Sequence, residues 1–305
     1  MIKFKSKIVS FLLGFGVVLI VLYSCKGDEE NKETILTGST SILVDESILP
    51  IIEDQVAVFE SQYNATIKLL PQSEKESVQS FVNNTARTII LSRKLNIVEK
   101  AIFKNKKITP LETPFAIDAI ALIKNKISKD SIQDISEIVA FLKGNPTKIK
   151  GLVFDNANSS TTRYFLELAG LKSMPDTGVF SFKTNEEVIQ YVSQNEGMIG
   201  VVGINWIFQP RLSRKKILEK ITVLSIKDKN TNGYVYPSQE NIASRKYPLA
   251  RVLYIVNCQG FEGLGIGFAS FISGEIGQRI ILKSGLAPLR EPSRNISIRN
   301  KIESN

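Results

Sequence analysis

Ser159-Ser160-Thr161-Thr162 is the run whose residue types and spacing could do chemistry. It follows an apolar stretch ending at Phe154 and the polar loop Asp155-Asn156-Ala157-Asn158, and it precedes Phe165, Leu166 and Ala169 at helical intervals before Gly170. A helix opening there has backbone N–H groups without intrahelical partners, and its dipole is positive at the same end. Hydroxyls added to such a terminus suit a small anion. The same residue types cap ordinary helices, so the run alone does not choose between binding and capping.

Composition narrows the other chemistries. The 305 residues include no histidine, which removes the commonest general base and metal ligand and makes a Ser-His hydrolase triad impossible. No P-loop, dinucleotide fingerprint or metal-ligand spacing occurs, and Ser159 and Ser160 have no evident base beside them. The chain is therefore expected to be a binder, with no catalytic residue, cofactor or metal. Trp206, the single tryptophan, is expected to pack and not to form a ligand platform.

The N-terminus reads as an export signal. Lys3, Lys5 and Lys7 precede an apolar run over residues 8–23, and Leu22-Tyr23-Ser24-Cys25 resembles a bacterial lipobox, although Tyr23 is bulkier than the usual occupant. The competing reading is an uncleaved span, since about 18 apolar residues can cross a bilayer. Cys25 at the end of the run favours lipidation there, and each buried methylene of an acyl chain contributes about 0.8 kcal/mol. Residues 1–24 are then a signal peptide and 25–33 a polar tether. The acidic cluster Asp28-Glu29-Glu30 resembles surface-export signals of some Bacteroidetes lipoproteins, so the expected location is the cell envelope, facing the periplasm or the cell surface.

Of the 39 Lys and Arg residues, three lie in the leader, so 36 face 30 acids in the mature chain. The excess is dispersed and lacks an aromatic-plus-basic stripe, which argues against a nucleic-acid partner. If Cys25 is acylated, Cys258 has no intramolecular partner, and it reads as a buried strand residue.

The elements that position the candidate loop alternate in type. Apolar, β-branched runs at 41–44, 66–70, 88–91, 119–124, 150–154, 198–202, 221–226 and 252–256 read as strands covered on both faces. Between the first two, Ile48, Ile52, Val56, Phe59 and Tyr63 give one apolar helical face, with Ser47 as N-cap and Pro50 in the first turn. The fold class is α/β, with ligands expected where strands hand over to helices.

Several segments resemble, in order, the PstS-like phosphate-binding proteins of phosphate ABC transporters, a branch of the periplasmic solute-binding superfamily. Asn158-Ser159-Ser160-Thr161-Thr162 is similar to that family's Gly-Ser-Gly-Thr-Thr loop, and Asn195-Glu196-Gly197-Met198-Ile199-Gly200-Val201-Val202 to its Gly-Ala-Ile-Gly-Tyr-Val strand. Tyr247-Pro248-Leu249-Ala250-Arg251-Val252-Leu253-Tyr254-Ile255 resembles its return strand. Gly277-Gln278-Arg279-Ile280 with Lys283-Ser284-Gly285-Leu286-Ala287-Pro288-Leu289 resembles its closing helix and turn. The resemblance runs from about residue 38 to 290. It implies a two-lobed, type II-like binding-protein fold, each lobe a mostly parallel sheet flanked by helices, with a ligand cleft closed by hinge motion. The crossings would fall near Thr113-Pro114 and Pro248. Lobe one is then 34–114 plus 249–292, lobe two 115–248, and 293–305 a loose basic tail.

By the same resemblance the ligand set is Glu46, Ser47, Ser73, Ser92, Arg93, Asp155, Asn158, Ser159, Ser160 and Thr161. Two positions depart from the family: an Asp is replaced at about Arg93 and an Arg at Asp155, and the first ligand loop, Val44-Asp45-Glu46-Ser47, is acidic. Fixed carboxylates repel an oxyanion in a desolvated site. Three balances stay open: Arg93, helped by Arg163 or Arg87, holds an anion while Asp155 and Glu46 orient it; the cleft takes a zwitterion or cation; or Arg93 and Asp155 form a cross-lobe salt bridge with no ligand. The resemblance implies capture of a small oxyanion, phosphate first, for an ABC permease. The other reading is an envelope sensor or scaffold.

Overall fold

The computed structural model describes residues 33–209, 214–227 and 233–292; the expected leader, Cys25, most of the tether and the 293–305 tail lie outside them. The strands are β1 (Gly38–Asp45), β2 (Ala65–Gln72), β3 (Thr88–Leu91), β4 (Leu111–Asn125), β5 (Ile132–Gln133), β6 (Gly151–Phe154), β7 (Val179–Ser181), β8 (Met198–Gly203), β9 (Ile221–Val223), β10 (Ser225–Lys227), β11 (Tyr234–Val235), β12 (Ala250–Asn257) and β13 (Ala287–Pro288). The helices are α1 (Leu49–Gln62), α2 (Glu74–Val82), α3 (Ile97–Asn105), α4 (Ile135–Leu142), α5 (Ser160–Ala169), α6 (Asn185–Gln194), α7 (Asn205–Phe208), α8 (Lys215–Leu218), α9 (Gln239–Ala243), α10 (Leu264–Ser273) and α11 (Glu275–Lys283).

Ten strands form one sheet in the order β2-β1-β3-β12-β4-β8-β6-β7, with β13 and β9 also on β4. At one end β1 is parallel to β2 and β3, and at the other β6 is parallel to β7 and β8. The centre is antiparallel. The fifteen residues of β4 face β12 up to Ala119, then β8 and β9 from Ile120 onward. One long strand thus threads both halves of the sheet. A parallel strand needs a covered crossover, and buried runs such as Thr88–Leu91 and Gly151–Phe154 have all four residues buried, as a sheet with helices on both faces requires.

The expected α/β pattern is present. The 221–226 run divides into β9 and β10, because Leu224 turns its N–H to Leu122 O and the chain leaves the main sheet for the small sheet β11-β10-β5. The first helix starts at Leu49 after a single 3-10 turn, Glu46–Ile48, and Ser47 is not its N-cap. Asp45 takes the capping role, its Oδ1 accepting from Ser47 N at 3.1 Å, while the Ser47 hydroxyl is used elsewhere. α5 follows expectation: Ser159 caps it by accepting from Thr162 N at 3.2 Å, and Gly170 ends it with φ 68°.

One apolar core spans both halves and includes Trp206, which is 6% exposed. A second cluster gathers Phe81, Phe103 and Cys258 under β3; Cys258 lies one residue past β12, buried and free. Among the described residues no helix is long and apolar enough to cross a membrane.

Candidate functional site

The C-terminal ends of β1 and β6, the middle strands of their parallel trios, deliver two loops to one place. Ser47, after β1, and Ser160, at the start of α5, bring their hydroxyls to 2.9 Å although 113 residues separate them. Between them sits Arg251 of β12, 6% exposed. Its NH1 donates to Ser160 Oγ at 2.8 Å and its NH2 to Ser47 Oγ at 3.0 Å. Asp118 of β4, fully buried, holds the guanidinium from behind, accepting from Nε at 2.9 Å and lying 2.8 Å from NH2. Burial pushes the Asp118 carboxyl above its usual range, and Arg251 pulls in the opposite direction.

Backbone carbonyls and amides complete the seat. Ser47 O accepts from Asn205 Nδ2 at 2.9 Å, and a Cβ on Gly203 would come within 2.2 Å of that oxygen, so only glycine lets the β1 loop approach β8 this closely. Trp206 Nε1 donates to Glu46 O at 3.3 Å.

Asp155 is fully buried and lies inside its own loop. Its Oδ1 accepts from Ser159 Oγ at 2.6 Å and from Thr161 Oγ1, and its Oδ2 from Asn185 Nδ2 at 3.0 Å. Burial raises its pKa against these bonds. Glu46 shares the same amide, accepting from Asn185 Nδ2 at 2.6 Å and from Asn185 N. Desolvation, then the Asp155 charge, pushes Glu46 up to about 8, and desolvation pushes Asp45 up to about 6. Three buried acceptor atoms of this cluster, Asp45 Oδ2, Asp118 Oδ1 and Asn205 Oδ1, have no hydrogen-bond partner among the described residues. Protonation suits the unpaired oxygen of Asp45, since an unpaired buried charge is costly.

The other expected residues lie at the rim or face away. Arg93 does not meet Asp155: its Nε donates to Glu74 at 2.8 Å and its two terminal nitrogens to Glu99 at 2.8 and 2.9 Å. Arg163 reaches Glu74 from the opposite half, at 2.7 Å from Nε and 3.2 Å from NH2. Glu74, 3% exposed, therefore joins two arginines from distant parts of the chain. Next to this joint Lys75 N donates to Asn158 O at 3.2 Å, while the Asn158 side chain is exposed. Ser73 Oγ donates to Glu76 within the α2 capping box, Ser92 Oγ is buried without a partner among the described residues, and Arg87 is exposed.

Sequence reasoning missed Arg251, Asp118 and Asn185 as site residues. A signal was present for the first two: each is a lone charge inside an apolar strand, and a charge in a covered strand needs an opposite partner. A surface cavity of about 520 Å³, lined among others by Lys124, Gln133, Lys148 and Glu196, contains none of these residues.

A two-ended sheet threaded by one long strand, with polar loops converging on a buried arginine, is the architecture of the binding-protein class. The PBP superfamily domain matches residues 30–275, and the chain belongs to that superfamily. It is 24% identical over 301 residues to the phosphate-binding protein PstS of Borreliella burgdorferi, covering 92% of this chain and 98% of that protein. Among solved structures, a Clostridium perfringens protein assigned to the substrate-binding proteins of phosphate ABC transporters, with bound phosphate, aligns with a TM-score of 0.69 at 20% identity over 83% of this chain and 100% of its own. An ABC-type phosphate transport receptor from Vibrio cholerae aligns with a TM-score of 0.62 at 17% identity, covering 82% and 100%.

Proposed function

We propose that this chain is a lipid-anchored solute-binding protein that captures a small oxyanion, phosphate first, and presents it to an ABC-type importer. The observation that carries the reading is Arg251. Two of its N–H groups point at hydroxyls from two loops far apart in sequence, and an oxyanion entering between Ser47 and Ser160 would accept from the guanidinium while both hydroxyls turn to donate to it. Ser159 and Thr161 lie one bond further out, oriented by Asp155. The acidity of the loops is less of an obstacle than composition suggests, because burial raises Asp45, Glu46 and Asp155 toward their neutral forms, and the charge of Asp118 behind them is taken up by Arg251.

The phosphate-binding names of the similar proteins support the choice of ligand and of an ABC permease as partner. The lipobox-like run ending at Cys25 supports an anchor in the cell envelope, with the periplasm favoured over the cell surface. The two lobes are taken as 34–114 with 249–292, and 115–248.

Calorimetry of the purified protein with phosphate, sulfate and an organic phosphate tests the reading. Ser47→Ala and Ser160→Ala are each expected to weaken phosphate by roughly ten- to a hundredfold, as loss of a hydrogen bond to a charged group does. Absence of heat from every anion sinks the proposal.

A second reading, an envelope sensor or scaffold, draws on the Glu74 joint, since Arg93 and Arg163, from distant parts of the chain, meet one carboxylate in a contact that needs no solute. A pull-down from solubilised envelope that returns ABC permease subunits alone counts against it.

A further inference from the structure

Glu46 makes a contact that anion binding does not use. Its carboxylate leaves the end of β1 and accepts from the backbone N–H of Asn185 at 3.2 and 3.3 Å and from Asn185 Nδ2 at 2.6 Å, 139 residues along the chain at the start of α6. Asn185 in turn holds β8 through its Oδ1, which accepts from Gly203 N at 2.9 Å. The amide that serves Glu46 serves Asp155 as well, at 3.0 Å, so one nitrogen stands between two carboxyl groups. Neither has an ion-pair partner among the described residues. Two full negative charges cannot share so small a buried space at low cost.

We propose that closing of the cleft takes up a proton at Glu46, so that anion capture tightens as the medium becomes more acidic. Both halves rest on the reading above, the capture half on its solute and the closing half on its two lobes.

The groups around Glu46 favour its neutral form. Asp155 faces it from the end of β6 and Asp45 from β1, while α6 carries Glu186 and Glu187 in its first turn. Two buried cations lie in the surroundings: Arg251 is held by Asp118 and by the two serines, and Arg214 stacks 4.6 Å over the Trp206 ring, whose indole N–H bonds the main-chain oxygen of Glu46 and not its carboxyl. Closed, the Glu46 carboxyl is pushed up to about 8 by burial and then by Asp155. Opened to water, it returns to roughly 4.3. Between those values the closed form binds one proton more than the open form. The ratio of closed to open therefore falls about tenfold per pH unit from roughly pH 5 to pH 8, and is level on either side. Asp45, pushed up to about 6, adds a second slope at the acid end of that window. Glutamine at position 46 keeps an acceptor for Asn185 N and replaces the acidic proton with an amide hydrogen that does not titrate.

The reporter is built in. Trp206, the only tryptophan in the chain, donates its indole N–H to the main-chain oxygen of Glu46. Its emission, followed in the full-length protein without ligand from pH 5 to pH 9 under constant far-ultraviolet circular dichroism, should titrate in the wild type. In Glu46→Gln the transition near pH 8 should vanish. Identical profiles for the two proteins overturn the proposal. Should the variant misfold, the Glu46 side-chain carboxyl can be titrated in the wild type by carbon-13 NMR, and a midpoint in the ordinary range near 4.5 overturns it equally.

Inorganic phosphate is then titrated by calorimetry at pH 6 and pH 8.5 into both proteins. The wild type should lose at least tenfold more affinity than Glu46→Gln between the two values. Equal losses overturn the coupling. A Trp206 titration without any phosphate binding would remove the proposed solute and leave the Glu46 latch standing.

Discussion

Arg251 and Asp118 stand directly opposite each other in the antiparallel register of β12 and β4, both buried, with the carboxylate on the guanidinium at 2.8 Å. The pair turns the strand that threads the whole sheet into the back wall of the site. β4 carries Asp118 just where its partner changes from β12 to β8, so the fixed charge sits at the seam between the two halves.

Removing one member of this pair should be far worse than altering the rim. Asp118→Ala leaves a buried guanidinium without a counter-charge and is expected to cost about 3–5 kcal/mol in chemical denaturation. Arg251→Lys keeps the charge, loses the fork that spans Ser47 and Ser160, and should reduce anion affinity more than stability.

The Glu74 joint is predicted to contribute less, because Arg93 and Arg163 are 20% and 27% exposed and their side chains are screened by water. A double-mutant cycle on Glu74→Gln and Arg163→Gln should give a coupling of about 1 kcal/mol that shrinks in 1 M salt. Coupling unchanged by salt would contradict the assignment.

Gly203 and Gly260 make a matched test of backbone approach. Alanine at 203 would drive its Cβ into the carbonyl of Ser47 and is expected to destabilise by about 1–3 kcal/mol while weakening anion binding, since the β1 loop must move. Alanine at 260 meets nothing within 4 Å and should be near neutral by thermal denaturation.

The stability curve should slope against the usual trend at Asp45, and at Glu46 over a wider interval. The folded pKa of Asp45 is raised by burial to about 6 from 3.8, so its contribution is complete below about pH 3.8 and is lost as pH rises to about 6. Asp45→Asn is expected to reduce the slope of denaturation midpoints across that interval and to leave the part that Glu46 carries. A slope undiminished by the substitution would assign the effect to another group.

Much of the frame was legible in residue order. The β6–α5 unit emerged with its cap at Ser159 and its stop at Gly170, because strand, loop and helix there each follow local rules: buried β-branched residues, a hydroxyl cap, a glycine at positive φ. The helix after β1 was placed two residues early, at Ser47, since nothing local says that this hydroxyl faces Arg251 and not the helix end. Among the charged residues the difficulty was greater. Arg93 looked available in the sequence, but Glu74 and Glu99 surround it in space.

Residue order by itself determined the α/β alternation, the serine-threonine helix opening and the superfamily resemblance, since each depends on neighbours a few residues apart. Tertiary structure alone decided which charges meet. Arg251 finds Asp118 at a separation of 133 residues and Ser47 at 204, and Glu46 finds Asn185 at 139. Such pairings depend on strand register and on which loops the sheet order brings together, and the protonation of buried carboxyls depends in turn on the water those contacts exclude.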